Sequence, residues 1–248
     1  MALTLYAHRL SQPCRAVEIL ARELGIDYDF HEVDFAGGET HTEWFAQINP
    51  LETVPALKVT PATSDTFSLG ESQAIMIYFC RTADNRDTAQ RWYPNDADTL
   101  TSARIDQWLA WHHANVRRFD MFHHIMNLHL TLPMLKREIQ STLLKPLQDG
   151  LAPGLATLEV QLERSNTSRA APTLLGGEHP TLADLAIACE LYQIRAVGYT
   201  FGRYPHVQTW LDALAEREHF KAVCGDIDAQ GREVFEQSGA YLALGAFG

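Results

Sequence analysis

The sequence has few cysteines and no paired cysteine motif. Its 248 residues include four cysteines, Cys14, Cys80, Cys189 and Cys224, which lie far apart. No two of them have the Cys-x-x-Cys spacing of a zinc site or a redox pair, and disulfide-stapled domains carry far more cysteine. We therefore expect reduced thiols, no disulfide framework and no bound metal.

Long apolar runs and an excess of positive charge are also missing. No stretch approaches the roughly 18 apolar residues of a membrane span, and the opening residues MALTLYAHRLSQ show no cationic segment followed by an apolar run. Lysine and arginine total 20 against 31 aspartate and glutamate, a formal net charge of −11. Because this charge repels phosphate backbones and anionic lipid, we expect a cytoplasmic protein that binds neither nucleic acid nor membrane.

The composition is that of a globular protein, with 46% hydrophobic and 21% charged residues. The first eighty residues alternate between strand and helix periods. The predicted elements are a strand at 3–7, a helix at 13–24, a strand at 28–35, a helical turn at 41–49, strands at 53–59 and 66–69, and a helix at 71–83. This βαβ-ββα order predicts a small mixed sheet covered by helices.

After residue 83 the pattern changes. Residues 84–97 are polar and lack a clear period, as expected of a linker, and no convincing strand follows them. Apolar residues at three-and-four spacing predict helices at 100–129, 151–165, 180–198 and 205–218. We therefore predict an α/β domain over 1–83, a linker over 84–97 and an all-helical domain over 98–248.

Thr181 and Asp184 mark the start of the helix predicted at 180–198. Their spacing is that of a capping box, in which the hydroxyl and the carboxylate satisfy backbone amides that the first turn leaves unpaired. We therefore expect this helix to begin beside Thr181.

Several short motifs fall at turns of this pattern. They are SQPCRA (11–16), NPLETVPAL (49–57), ES (71–72), WYP (92–94) and LAWHH (109–113). Their order resembles the soluble glutathione transferases, and most of all the theta class, over about residues 3 to 215. The resemblance implies a thioredoxin-like domain that binds the co-substrate glutathione, a helical domain that binds an electrophile, and a homodimer.

Ser11 is the predicted catalytic residue. A free thiol with a pKa near ~8.5 is mostly protonated at neutral pH. A hydrogen bond to a charged partner contributes about 1.5–3 kcal/mol and a helix N-terminus ~0.3–1 kcal/mol, which together lower that pKa by roughly one to three units. The resemblance implies that the Ser11 hydroxyl stabilises the thiolate and that Arg15 adds positive potential. It also implies that Arg117 faces the active site. If Pro13 is the first helical residue, Gln12 is the cap and Ser11 lies outside the helix.

The resemblance also implies contacts with the rest of the tripeptide. A cis peptide between Val54 and Pro55 would turn the Val54 backbone toward glutathione, and the helix that starts at Glu71 would bind the γ-glutamyl carboxylate. Theta members often hold the glycine carboxylate with a histidine and a lysine. This chain has Thr40 and Thr53 at those two positions, and His41 follows directly after Thr40. The predicted glutathione-binding residues are Gln12, Thr40, His41, Thr53, Val54, Pro55, Glu71 and Ser72.

The predicted electrophile pocket is apolar. Its predicted lining is Trp111, His112 and Phe119, together with the tail at 240–247. The resemblance suggests alkyl halides, activated esters and organic peroxides as substrates. Neighbouring histidines on a helix point about 100° apart, so the His112–His113 pair predicts no metal site.

Two other functions stay open at this point. Cys14 lies in the first helical turn beside a cation, where a thiolate is stabilised, and would suit a glutathione-dependent thiol–disulfide reductase. The same fold also serves as a non-enzymatic interaction module. Tyr6 is a rival hydroxyl, but its place in an apolar strand favours a core tyrosine.

Overall fold

The computed structural model describes residues 1–35, 37–120, 145–165 and 172–238. The chain divides into two compact units, Met1–Ala103 and Arg104–Gly248. Within the described ranges, no helix combines the length and the apolar character needed to cross a bilayer.

The first unit contains the predicted mixed sheet. Its elements are β1 (Ala2–Ala7), α1 (Gln12–Glu23), β2 (Asp29–Glu32), a 3₁₀ turn (Glu39–His41), α2 (Glu43–Ala46), β3 (Ala56–Thr60), β4 (Phe67–Leu69) and α3 (Ser72–Thr82). The strand order is β2-β1-β3-β4, with β1 parallel to β2 and both other pairings antiparallel. The predicted βαβ-ββα order is thus confirmed.

Helix α1 is amphipathic and packs against α3. Val17 and Leu20 on α1 and Phe79 on α3 are fully buried, together with Leu5 of β1. Gly25, at φ 66°, follows the end of α1 in the left-handed region that glycine adopts at low cost. The burial of this face between the sheet and α3 fixes the position of the first turn of α1.

The segment predicted as a linker contains a short helix. Helix α4 spans Arg86–Trp92, and Asn85 caps it by accepting from the Thr88 N–H at 3.2 Å. Ala89 and Trp92 are its buried residues. Two turns are too few to show a clear hydrophobic period, which is why the sequence pattern missed this helix.

The remaining helices described are α5 (Thr99–Asn115), α6 (Lys145–Ser165), α7 (Leu182–Ala196), α8 (Pro205–Ala215) and α9 (Glu218–Ser238), with a 3₁₀ turn at Arg117–Phe119. Helix α7 begins with the predicted capping box of Thr181 and Asp184, which is confirmed. Helix α6 begins at Lys145 rather than at residue 151, and Pro153 lies inside it.

The prediction of one long helix over 100–129 was wrong. Helix α5 ends at Asn115, whose side-chain amide donates to the Trp111 carbonyl at 2.8 Å and so competes for the acceptor of the helical hydrogen bond. Val116 then leaves the helical region, with φ −123° and ψ −63°. The second half of the predicted helix, from residue 121 onward, lies outside the described residues.

Candidate active site

Strand register brings four loops to one end of the sheet in the first unit. Tyr6, near the end of β1, pairs with Ala56 at the start of β3, while Ala7 pairs with Glu32 at the end of β2. Leu57 pairs with Leu69, the last residue of β4. The loops that carry residues 8–11, 33–42, 49–55 and 70–72 therefore meet at this edge, and with them the predicted catalytic and glutathione-binding residues of the α/β unit.

Ser11 is the N-cap residue of α1, which corrects the expectation that Gln12 would be the cap. The helix begins at Gln12, so Pro13 occupies its second position. Ser11 has extended backbone angles, φ −83° and ψ 122°, and among the described residues its side chain makes no capping hydrogen bond. The half-buried hydroxyl thus lies at a helix N-terminus without capping it.

Arg15 holds the loop in front of Ser11. Its side chain is fully buried, and one guanidinium nitrogen donates to the carbonyls of both Arg9 and Leu10 at 2.9 Å. The Ser11 N–H donates to the His8 carbonyl at 2.9 Å. These bonds fix the backbone between β1 and α1.

The two rival groups near Ser11 are both buried. The Cys14 thiol is 1% exposed. Tyr6 is 7% exposed in an apolar cluster with Phe45 and Val33, and burial raises the pKa of its hydroxyl. Tyr6 is therefore a core tyrosine, and Cys14 packs as a small apolar residue.

The loop before β3 has a cis peptide between Val54 and Pro55, so this expectation is confirmed. Asn49, which is 1% exposed, donates from its amide to the Thr53 carbonyl at 2.7 Å and to the Thr53 hydroxyl at 3.2 Å. The same side chain lies against Gly70, where an added Cβ would be 3.0 Å from the Asn49 oxygen. Asn49 thus connects the cis-proline loop with the start of α3.

Helix α3 begins at Ser72, and Glu71 is its N-cap residue. Glu71 has a φ of 59°, and Glu52 in the neighbouring loop has a φ of 54°. Both values lie in the left-handed region that residues with a Cβ rarely adopt, and such strain concentrates at functional sites. The backbone amides of the first turn of α3 need partners from outside the helix, as an anion would supply.

The residues predicted near the glycine carboxylate differ in exposure. Thr40 is 5% exposed, whereas the His41 side chain is 72% exposed and its Nδ1 lies 2.7 Å from a Glu52 carboxylate oxygen. The Thr53 hydroxyl accepts from Asn49, as described above. His41 is therefore paired with an acid. Gln12, the remaining predicted residue of this unit, is 8% exposed at the start of α1.

The remaining predicted residues lie in the second unit. His112 is 4% exposed, and its Nε2 lies 3.4 Å from the Glu190 carboxylate, which also lies 3.4 Å from an Arg117 guanidinium nitrogen. The Phe119 ring packs on Gly150, where an added side chain would collide with it. Trp111 is half-buried and packs edge to face on Trp108. The tail at 240–247 lies outside the described residues.

Sequence reasoning missed Glu18 and Asn49. Glu18 shares the buried face of α1 with Cys14, Val17 and Ala21, and a carboxylate in such an apolar stripe is the signal that was available. Asn49 is the first residue of the NPLETVPAL motif, but only the fold shows that its amide connects two loops. Within the described ranges, no three histidine, cysteine or acidic side chains come together as a metal ion would require.

Comparison with known proteins assigns the fold to a family. Family models for the N-terminal and C-terminal domains of glutathione S-transferases match residues 5–87 and 97–213. Human glutathione S-transferase theta-1 is 35% identical over 240 residues, which cover 94% of this chain and 89% of that protein. A chain of this fold that is matched over both of its parts belongs to the glutathione S-transferase family.

Solved structures agree with this assignment. Human glutathione transferase theta-2, in complex with glutathione and an unknown ligand, has a TM-score of 0.74 and 27% identity, covering 96% of this chain and 91% of that one. A variant of human glutathione S-transferase T1-1 in its apo form has a TM-score of 0.70 and 31% identity, covering 96% and 90%. By homology the protein is a theta-class transferase, which confirms the resemblance drawn from the motifs.

Proposed function

We propose that this transferase binds glutathione at the loop edge of its α/β unit, where the Ser11 hydroxyl stabilises the thiolate after the thiol proton has passed to solvent water. The thiolate sulfur then attacks a carbon of a small electrophile, and the leaving group departs with the electron pair of the broken bond. Alkyl halides and activated esters fit this displacement. With an organic peroxide, the thiolate attacks an oxygen, and a second glutathione completes the reduction to an alcohol, water and glutathione disulfide.

The observation that carries the proposal is the state of the Ser11 side chain. Ser11 is the N-cap residue of α1, yet among the described residues its hydroxyl caps no amide of that helix. The O–H is therefore available to donate to a thiolate. The positive end of the helix adds to the stabilisation of that anion, so neither a metal nor a general base is required.

The surrounding loops supply groups for the other parts of the tripeptide. The Val54 backbone beside the cis peptide would pair with the cysteinyl amide as an added strand does. Glu71, Ser72 and backbone amides in the first turn of α3 would bind the γ-glutamyl end. Gln12, Thr40, His41 and Thr53 complete the proposed site. Because His41 is paired with Glu52, we expect weak binding of the glycine carboxylate.

The helical unit is proposed to bind the electrophile through Trp111, His112 and Phe119. Arg117 would stabilise negative charge that develops on a leaving group, and its ion pair with Glu190 holds the guanidinium in place. We further propose that the protein works as a cytoplasmic homodimer, with glutathione as its co-substrate and without a metal. A human theta-2 structure that contains glutathione supports the choice of co-substrate.

A comparison of Ser11→Ala with Cys14→Ala tests the proposal. Each variant is assayed with glutathione and an alkyl halide, a nitroaryl chloride and cumene hydroperoxide. Loss of a hydrogen bond to a charged group, about 1.5–3 kcal/mol, should lower kcat/KM of Ser11→Ala by roughly 10- to 150-fold. Cys14→Ala should stay within about threefold of the original enzyme, since its thiol is buried.

The opposite pattern would overturn the proposal. Full activity of Ser11→Ala together with an inactive Cys14→Ala would identify a cysteine-dependent thiol–disulfide reductase. Failure of the unaltered protein to bind glutathione, measured by calorimetry, would indicate an interaction module instead of an enzyme.

A further inference from the structure

Helix α1 carries a buried carboxylate that the proposed reaction does not use. Glu18 is 1% exposed. Its two oxygens accept from Arg9 Nε and Nη2, both at 3.0 Å, and one of them also accepts from Arg22 at 2.7 Å and from the Tyr28 hydroxyl at 3.3 Å. Burying a carboxylate is costly unless it is paired and hydrogen-bonded, and here four donors satisfy it.

The partner of Glu18 lies in the loop that carries Ser11. Arg9 is two residues before Ser11, and its guanidinium lies 4.6 Å from the centre of the Phe30 ring. The Arg9 carbonyl accepts from Arg15 at 2.9 Å. Arg9 is thus held by its side chain through Glu18 and by its backbone through Arg15, and both of these partners belong to α1.

We propose that Glu18 and Arg9 form a positioning pair that holds the Ser11 hydroxyl at the place where it meets the glutathione thiolate. This inference rests on the proposed role of Ser11. A hydrogen-bond donor stabilises an anion fully only at about 2.7–3.1 Å, and displacement of a site by about 1 Å costs on the order of 100-fold in rate. A loop of four residues between a strand and a helix needs such fixed points, and the bidentate geometry of the pair supplies one.

The direction in which Glu18→Gln shifts the pKa of the bound thiol distinguishes a positioning role of Glu18 from a purely electrostatic one. Glu18→Gln removes a negative charge from the neighbourhood of the thiolate. If Glu18 acted only through its charge, this change would favour the thiolate and lower the pKa of the bound thiol. If Glu18 acts through Arg9 on the position of Ser11, the same change weakens the hydrogen bond to the thiolate and raises that pKa.

The experiment is the pH profile of kcat/KM for a nitroaryl chloride from pH 5.5 to 9, measured at saturating glutathione so that the profile reports the pKa of the bound thiol. For Glu18→Gln we expect the apparent pKa of the bound thiol to rise by about one unit, so that kcat/KM falls about tenfold at low pH and returns toward the original value at high pH. Arg9→Met should show the same rise in pKa. Arg9→Lys keeps the charge and one donor, so its rise should be at most half as large. The double variant should shift no further than either single variant, because the pair acts as a unit.

Glu32→Gln is the matched control. Glu32 is an exposed carboxylate at the end of β2, paired with Ala7 at the end of β1, so its loss changes charge by the same amount near the same loop. Its profile should be unchanged. If Glu18→Gln lowers the pKa, or lowers kcat/KM equally at every pH, the positioning pair is refuted.

Two further readouts keep the result interpretable. Circular dichroism verifies folding. If Glu18→Gln does not fold, Arg9→Lys decides the question: a charge effect alone predicts the original pKa, whereas loss of the two-donor geometry predicts a residual rise, smaller than that of Arg9→Met. Ser11→Ala is measured in the same assay. An unshifted profile for Ser11→Ala would refute the proposed function itself, whereas a raised pKa in Ser11→Ala with none in the Glu18 and Arg9 variants would refute the positioning pair alone.

Discussion

Replacement of Asp184 by asparagine should strongly destabilise the helical unit. The carboxylate is fully buried, and four donors surround it. One oxygen accepts from the Leu174 N–H at 2.6 Å and the Trp210 indole at 2.9 Å, and the other from the Thr181 N–H and hydroxyl, both at 2.8 Å. Burial raises the pKa of Asp184, and the hydrogen bonds from these donors act against that rise.

The expected loss follows from these four bonds. An amide in place of the carboxylate keeps one oxygen with two donors but turns an NH₂ group toward the other two. Two buried donors without an acceptor cost about 1–3 kcal/mol each, so Asp184→Asn should lower the free energy of unfolding by about 2–6 kcal/mol. Because whole proteins are stable by about 5–15 kcal/mol, this is a large fraction of the total.

Equilibrium unfolding in urea, followed by circular dichroism, measures the loss. Thr181→Val removes the hydroxyl that donates to Asp184 and also caps the first turn of α7, and should cost about 1–3 kcal/mol. Asp149→Asn, which alters an exposed pair with Lys145, is the control and should cost less than about 1 kcal/mol. A loss below about 1 kcal/mol for Asp184→Asn would refute the argument that these four bonds hold α7 and α8 to the preceding loop.

Three more predictions concern the α/β unit. Burial acts to raise the pKa of Glu39, but hydrogen bonds from the Asp34 N–H and His31 outweigh it, so the pKa is lowered. The stability that Glu39 contributes is therefore present above about pH 4.5 and is lost as pH falls through the lowered pKa. Glu39→Gln should cost about 1 kcal/mol or less at pH 7, and equal stability of the two proteins at that pH would contradict this. Thr53→Lys should tighten glutathione binding up to about fivefold by calorimetry, since it adds a cation beside the His41–Glu52 pair, and weaker binding would count against the proposed glycine subsite. Burial raises the pKa of the Cys80 thiol to about 12, so a disulfide reagent at pH 8 should label Cys80 only after unfolding, and rapid labelling of the folded protein would show that the thiol is accessible.

Much of the α/β unit could be predicted because its signals are local. Alternating and helical periods located β1, α1, β3 and α3, and the capping box located the start of α7. The family resemblance supplied the cis peptide before Pro55, which hydrophobic periodicity cannot indicate. Each of these features depends on residues that are near one another in the chain.

The features that were missed depend on contacts between distant residues or on competition within a single turn. The position of Glu18 in the apolar stripe of α1 could have been read from the sequence, but its partner Arg9, nine positions earlier, could be identified only from the fold. The end of α5 depends on whether the Asn115 side chain takes the Trp111 carbonyl, which an apolar stripe over 100–129 does not reveal. The N-cap residue of α1 is Ser11 and not Gln12 as predicted, because proline is accepted at the second helical position as well as at the first.

The most direct test of the account is a titration of the glutathione thiol while it is bound. Thiolate absorbance near 240 nm is followed against pH for the complex of the unaltered protein and for that of Ser11→Ala. We predict a pKa roughly one to three units below the ~8.5 of a free thiol in the unaltered complex, and a return toward ~8.5 in the variant. An identical titration curve for both complexes would contradict the claim that Ser11 stabilises the thiolate.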